Sequence, residues 1–377
     1  MPNMMDYLIW RGDISFSVDH FNEVDNLILS ELSYVPFEGI VPDTGEKVKI
    51  KDASDRFFKM HDESSLTAAN APAVAKAPLL MRKAANTRRF QGLRICNYVN
   101  EVDESSKLQF AAMTFILPDH SIYVAFRGTD HTIVGWEEDF NMSFLNRTPG
   151  QMCAVKYINM IGKHSLRRMR VGGHSKGGNF AVYGSAFADS FVREKIMEVY
   201  SNDGPGFRPE VIESEEYKGI LPKVVSIVPE HTIVSQIMES AYKNKIVKSS
   251  ESGLMQHDAM SWQVMGNRFV EASELGEDSK IFDHTLRKWI SGFDDETRSQ
   301  FVSILFEGLT YDGSNTTEDL KEKTRLQRLN TIRKRLAELP VEKQKLFGSV
   351  LIKLATSYAS VMMDEWKKRS HDQSKIR

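Results

Sequence analysis

The stretch RMRVGGHSKGGNFAVYGSAFA, Arg168 to Ala188, constrains the fold more than any other part of the chain. A short apolar run enters a turn with glycines on both sides of Ser175, and a helix rich in small residues leaves it. A serine hydroxyl is a weak nucleophile, and a sharp strand-to-helix turn with small flanking residues exposes it without backbone clashes. Gly173-His174-Ser175-Lys176-Gly177 fits that requirement in both residue type and setting. The competing reading is a serine that only caps the following helix.

A strand-turn-helix of this kind belongs in a sheet, and the flanking sequence supplies one. From Leu93 onward LRICNYVNEV, LQFAAMTFIL and SIYVAFRG read as strands joined by the polar turns DESS and PDH, an antiparallel meander. After a helix around Gln151 to His164, the runs RMRVGGHS, KIMEVYSND and KVVSIVPE and the helix Gly177 to Ala188 form the alternation of a parallel sheet. Upstream, FNEVDNLILSELSYV places Phe21, Val24, Leu27, Ile28 and Leu32 on one helical face, with Asp19 or Asn22 as the cap. A second helix is expected near DASDRFFKMHDES, and two prolines cut the alanine-rich segment 65–86 into short pieces. Beyond Gln263 no strand signal remains. The segments FDHTLRKWISGF, DDETRSQFVSILFEGL, TEDLKEKTRLQRLNTIRKRLAEL and the one opened by Pro340 all have helical spacing. The expected fold is α/β: a mostly parallel sheet with antiparallel early strands over residues 1–270, and a helical appendage over 271–377 packed on it.

Composition narrows the setting. The chain has 377 residues, 41% hydrophobic and 27% charged, which describes a soluble folded protein rather than a disordered or fibrous one. Cys96 and Cys153 are its two cysteines; they build no disulfide framework and fit a reducing compartment. MPNMMDYLIWRGDISF lacks a basic segment followed by a long apolar one, and no window approaches 18 uninterrupted apolar residues, so a cytoplasmic location is expected. The net charge of -2 is uneven: Leu320 to Arg377 holds 15 Lys/Arg against 6 Asp/Glu, a surplus of +9, leaving -11 elsewhere. Such helices ordinarily present a solvated face. Peripheral contact with an anionic membrane is the next reading, and no nucleic acid is expected, because aromatics for base stacking are sparse there.

A nucleophilic serine needs a general base, an orienting acid and oxyanion donors. Of the four downstream histidines, His231 directly follows a strand, His284 sits in a helical segment and His371 lies near the end of the chain. His257, in GLMQHDAMSW after the last expected strand, is placed to reach back over the sheet. Two acids stay open: Asp203 ends KIMEVYSND and opens the DGPGF turn, while Glu230 ends the next strand. Asp258 adjoins His257, but neighbouring side chains point apart. The corner VAFRGTD offers Thr129 as one oxyanion donor, and the Lys176 backbone N–H at a helix start is the second. The Lys176 side chain is expected to face solvent. The plain structural reading of that corner is a turn with a buried Arg127 paired to Asp139. The chemistry asks for no metal or organic cofactor, and no ligand spacing or phosphate loop is present.

YVAFRGTD…GWEEDF, RVGGHSKGGNFAV, a strand ending in DGPGF and a late QHDAMSW together resemble the class 3 lipases of the α/β-hydrolase fold, with their FRGT corner, W…D pair and GHSLGG elbow. More closely, the chain resembles a bacterial family of lipase-like proteins with a YL.WRGD…FN.VD.LILS.LSY opening, here Tyr7 to Tyr34. The resemblance spans roughly residues 5 to 270. It implies Thr129 in the oxyanion hole, Ser175 as nucleophile with Lys176 as its successor, and His257 as base, in a lipase- or esterase-like hydrolase of small-molecule or lipid esters. Two positions depart from the pattern. Lys176 replaces leucine, suggesting a substrate with a polar or anionic part near the carbonyl, and PEHTIV stands where an aspartate is expected after the last strand. The alternative is a weak or inactive hydrolase scaffold that binds an anionic partner or lipid. A homodimer contact or a lid are further uses for the C-terminal helices.

Overall fold

A computed structural model describes residues 1–61, 66, 76–130, 132–290, 292–313, 316 and 325–375. Runs of β-branched and aromatic residues build one sheet of eight strands: β1 Val48–Lys49, β2 Arg94–Asp103, β3 Leu108–Ile116, β4 Ile122–Phe126, β5 Met169–His174, β6 Ile196–Asn202, β7 Val224–Pro229 and β8 Asn244–Val247. They lie side by side in chain order. The first four are antiparallel, and β4 to β8 are parallel. β5, which leads into Ser175, thus lies between β4 and β6 with both faces of the sheet covered, as its Val-Gly-Gly interior requires.

One face is covered from the N-terminus by α1 Met4–Trp10, α2 Glu23–Leu32, α3 Ile50–Met60 and α4 Ala77–Ala85. Asn22 caps α2 by accepting from the Val24 and Asp25 amides. Leu27, Ile28 and Leu32 are fully buried, with Phe37, Phe115 and Trp262 in the same core. This face is pinned by charge as well. Asp25 and Arg89 are both completely buried, with Arg89 Nε donating at 2.7 Å and Nη2 at 2.5 Å to the carboxylate. The remaining Arg89 donors take the carbonyls of Ile14, Asp19 and His20, so the buried pair is saturated.

The opposite face carries α5 Ile133–Asn141, α6 Pro149–Lys163 and α7 Lys176–Ala186. Phe110, Phe126, Tyr157 and Phe180 interdigitate between sheet and helices there. The C-terminal part is α8 Glu277–Ile290, α9 Asp295–Thr310, α10 Arg325–Glu338 and α11 Val341–Lys375. Asp294 caps α9 through the Thr297 amide. A third core forms where Phe301, Val302, Ile304 and Phe306 of α9 meet Phe347 and Val350 of α11 and Ile133 of α5.

Strand structure does continue past Gln263, contrary to the reading of the sequence. Val264–Met265 (β9) and Arg268–Phe269 (β10) form a two-residue antiparallel ribbon. Two residues cannot display a period, and tertiary bonds set the pairing: the Val264 amide donates to Pro2 and the Lys248 amide to Val270. β1 is likewise two residues long, and β8, Asn-Lys-Ile-Val, is four residues without apolar-polar alternation. In the alanine-rich segment, residues 65 and 67–75 lie outside the described residues, as do residues 317–324 at the start of the basic stretch.

Candidate active site

The backbone at Ser175 has φ +57° and ψ -133°, a conformation in which L-residues are strained. It turns the chain from β5 into α7 within one residue. The turn is held by the Ser175 amide donating to Asn202 at 2.9 Å and the Gly178 amide donating to Ser175 at 2.8 Å. A Cβ on Gly177 would lie 2.2 Å from the Phe126 carbonyl oxygen, so only glycine lets α7 start this close to β4.

The side chain of Ser175 meets a histidine and an acid from distant loops. Ser175 Oγ lies 3.0 Å from Nε2 of His257, and Nδ1 of His257 lies 2.7 Å from Oδ2 of Asp203. Asp203 follows β6 directly, is fully buried, and also accepts a hydrogen bond from the Thr232 hydroxyl, which stands beyond β7. The imidazole itself is 30% exposed, so it can exchange protons with a bound molecule. Glu230 is elsewhere: it lines a separate polar pocket with Lys248 and Lys280. His231, His284 and Asp258 make no contact with Ser175 Oγ among the described residues.

At the end of β4, Gly128 and Thr129 come up against the elbow. A Cβ on Gly128 would lie 2.3 Å from the Tyr34 hydroxyl and 2.5 Å from the His174 carbonyl oxygen. Thr129 Oγ1 donates to Asp139 at 2.5 Å, and Lys176, as first residue of α7, has a backbone N–H with no acceptor inside the helix. Two expectations fail at this corner. Arg127 pairs with Asp130 at 3.0 Å and Asn100 rather than with Asp139, because Asp139 turns toward Thr129. The Lys176 side chain is not in solvent: it is fully buried, with Nζ 3.1 Å from Glu138 Oε2 and 3.3 Å from the Gly135 carbonyl oxygen. The strained elbow aims it across α7 into α5, where the carboxylate neutralises it. Burial pushes the Asp139 carboxyl up to about 6, against the pull of the Lys176 ammonium and the Thr129 hydroxyl.

Over these groups lies a cavity of about 590 Å³. Its floor is Thr129, Ser175 and His257, and its walls are chiefly apolar, including Trp136, Ile233 and Val234. The C-terminal helices supply the far side, with Phe282, Leu286 and Trp289 of α8, Phe301 and Val302 of α9, and Val350 of α11.

A family model described as Mbeg1-like matches residues 84–307, more than half of the chain. The chain belongs to the Mbeg1-like family. Its fold is α/β-hydrolase-like, a mostly parallel sheet with antiparallel early strands, with a C-terminal helical part. Among solved structures, this Mbeg1-like chain is similar to M37 lipase, at 15% identity over 56% of this chain and 69% of the other, with a TM-score of 0.36. It is similar to the Rhizomucor miehei lipase propeptide complex, at 15% identity over 60% and 67%, TM-score 0.35. A mutant form of MDLA from Penicillium cyclopium is similar at 11% identity over 67% and 87%, TM-score 0.37. No curated protein matches the sequence.

In this Mbeg1-like chain the segment Tyr7 to Tyr34 supports the elbow from beneath, a role that reading the sequence missed. Asn26 of α2 donates to Asn202 at 2.9 Å, and Asn202 donates to the Gly173 carbonyl oxygen at 3.1 Å. His174, beside the serine, is paired through Nε2 at 2.9 Å with the backbone oxygen of His257, and its ring lies 4.7 Å from the His257 ring. Its Nδ1 faces the Tyr34 hydroxyl and Glu31 Oε1, each at 3.3 Å. Burial drives His174 down to about 3, so it is neutral, with Nε2–H donating and Nδ1 accepting. Burial, reinforced by the negative charge of Asp258, drives Glu31 up to about 8. The spacing LSELSY carries a signal only in hindsight: a glutamate on a fully buried helix face must be matched by a partner.

Two results are expected from these buried groups. Replacing Lys176 by the leucine of the class 3 pattern leaves Glu138 charged and buried, with only the Gln109 and Gly150 amides bound to it at 3.1 and 2.8 Å. The Lys176→Leu variant should lose about 3 kcal/mol in urea unfolding, and Lys176→Leu/Glu138→Gln should regain most of it. An unchanged midpoint for the single variant would remove the ion pair from the account. For Glu31, the folded value lies above the unfolded one. Its contribution is therefore fully present below about pH 4.5 and is lost as pH rises toward and past 8. Relative to Glu31→Gln, wild-type stability should fall by on the order of 4 kcal/mol between pH 5 and 9, read from paired melting curves. Parallel pH profiles for the two proteins would show that Glu31 is ionised in the folded state.

Proposed function

We propose that the protein is a serine acyl hydrolase acting on esters with an apolar acyl chain. The observation that carries this reading is the run of contacts from Ser175 Oγ to His257 Nε2 at 3.0 Å and from His257 Nδ1 to Asp203 at 2.7 Å, opening into an apolar cavity. His257 accepts the hydroxyl proton as Ser175 Oγ attacks the ester carbonyl carbon. The backbone N–H groups of Thr129 and Lys176 donate to the oxygen that gains charge, aided by the partial positive end of α7. Collapse of the tetrahedral adduct expels the alcohol, which takes its proton from His257 Nε2, and leaves an acyl-serine. Water then gives its proton to His257 and attacks the acyl carbon, releasing the carboxylic acid and restoring Ser175. Asp203 holds the imidazole by accepting Nδ1–H and stabilises the imidazolium in both steps. With Lys176 neutralised by Glu138, its charge offers no reason to expect an anionic group beside the carbonyl.

Two measurements test the reading. A fluorophosphonate probe should label Ser175 in the folded protein, and p-nitrophenyl esters of graded length should be hydrolysed with kcat/KM rising from acetyl to medium-chain acyl groups. Absence of both labelling and turnover would leave the chain a hydrolase scaffold that binds without catalysing.

A further inference from the structure

α11 carries apolar residues on two faces, and among the described residues one of them is packed and the other exposed. Phe347, Val350 and Val361 are buried on the inner face, and Val350 reaches the cavity. On the outer side Leu351, Ile352, Ala355, Tyr358, Met362 and Met363 recur at helical spacing and are exposed, Ile352 to 66% and Met363 to 59%. Helical geometry gathers these six into one stripe about 140° wide. Over the most apolar 18 residues within Val341–Met363 the mean hydropathy is 1.4, apolar enough for lipid, with 22% of that window buried.

We propose that this stripe docks on an anionic lipid bilayer, with α11 lying in the interface rather than crossing it. Crossing would strip the inner face from α8 and α9, to which it is joined by the third core and by Trp289 Nε1 donating to the Val350 carbonyl oxygen at 3.1 Å. Charge decides between lipid and a second copy of the chain. The stripe is preceded by Glu342 and the exposed Lys343 and Lys345, and followed in sequence by Asp364-Glu365 and then Trp366-Lys367-Lys368-Arg369, so each flank keeps a net positive charge within the stretch whose surplus is +9. Two copies paired along the stripe would set cationic ends against cationic ends, whereas anionic headgroups attract them, and Tyr358 and Trp366 are residue types favoured at the headgroup level. The functional meaning rests on the hydrolase reading above: the helix that meets lipid with one face closes the acyl cavity with the other, so an ester could pass from bilayer to cavity beside α11.

Co-sedimentation of the full chain with vesicles tests the docking separately from the chemistry. Binding is expected to equimolar phosphatidylglycerol and phosphatidylcholine, to weaken as salt is raised, and to be nearly lost on phosphatidylcholine alone. The Leu351→Asp/Ile352→Asp variant should lower the partition coefficient by about tenfold or more, with an unchanged circular dichroism spectrum. Met362→Asp/Met363→Asp should do the same independently. Ser175→Ala should bind as wild type does, so a failed hydrolase reading leaves the docking result intact. The proposal is overturned by absence of binding to the anionic vesicles, or by wild-type binding in both stripe variants. It is equally overturned by a wild-type dimer in solution that the stripe substitutions convert to monomer. If the variants misfold, the lipid and salt dependence of the wild type alone decides.

Discussion

Ser175→Ala is expected to reduce kcat for a p-nitrophenyl ester by about 10⁴- to 10⁶-fold, to leave KM nearly unchanged, and to abolish fluorophosphonate labelling. The residual rate would come from the oxyanion donors and from binding, which the substitution does not touch. Stability should change by less than about 1 kcal/mol, because the lost partner of His257 Nε2 is replaceable by water at a 30% exposed imidazole. The left-handed backbone at position 175 is imposed by the bonds to Asn202 and Gly178 and survives the substitution. Steady-state kinetics with an unfolding curve on the same preparation separate the two effects. Equal rates for both proteins would assign the activity to background chemistry.

The second large effect is expected at the acid. Asp203→Asn should lower kcat by about 10⁴-fold with little change in KM, because an amide cannot favour the tautomer that leaves Nε2 free to accept the serine proton. The environment makes this severe. Asp203 is fully buried and accepts from both His257 and the Thr232 hydroxyl; an asparagine has one accepting oxygen for the two, and with that oxygen kept by Thr232 its N–H faces Nδ1 and holds the wrong tautomer. Glu230→Gln is the matched control, and its kcat should stay within about twofold of wild type, since Glu230 lines a separate pocket. A large loss at Glu230 with none at Asp203 would reverse the assignment.

Local sequence signals carried well wherever an element satisfies itself. The 3.6-residue spacing and Asn22 cap of α2, the apolar, β-branched and aromatic runs of β2 to β4 and the small residues around Ser175 are each legible within about ten residues. Two-residue strands were not, because their pairing is dictated by neighbours such as Pro2 and Lys248. The polar interior was harder still. Lys176 reads as a surface residue, since an unpaired ammonium is costly to bury, and only the arrival of Glu138 from α5 reverses that balance. Arg127, Glu31 and His174 follow the same rule: which partner each group has is a property of helices and strands far apart in the chain.

The chain by itself therefore determined that a strand must turn into a helix at Ser175, that glycines stand two residues to either side of it, and that antiparallel strands precede parallel ones. Those outcomes depend on backbone sterics and on periodicity, which act between near neighbours. Only the tertiary structure decided which of two strand-ending carboxylates meets His257, where the Lys176 charge is neutralised, and that Tyr7 to Tyr34 holds the elbow from below. Those depend on desolvation and hydrogen-bond matching at distances of a few ångströms between segments 38 to 176 residues apart.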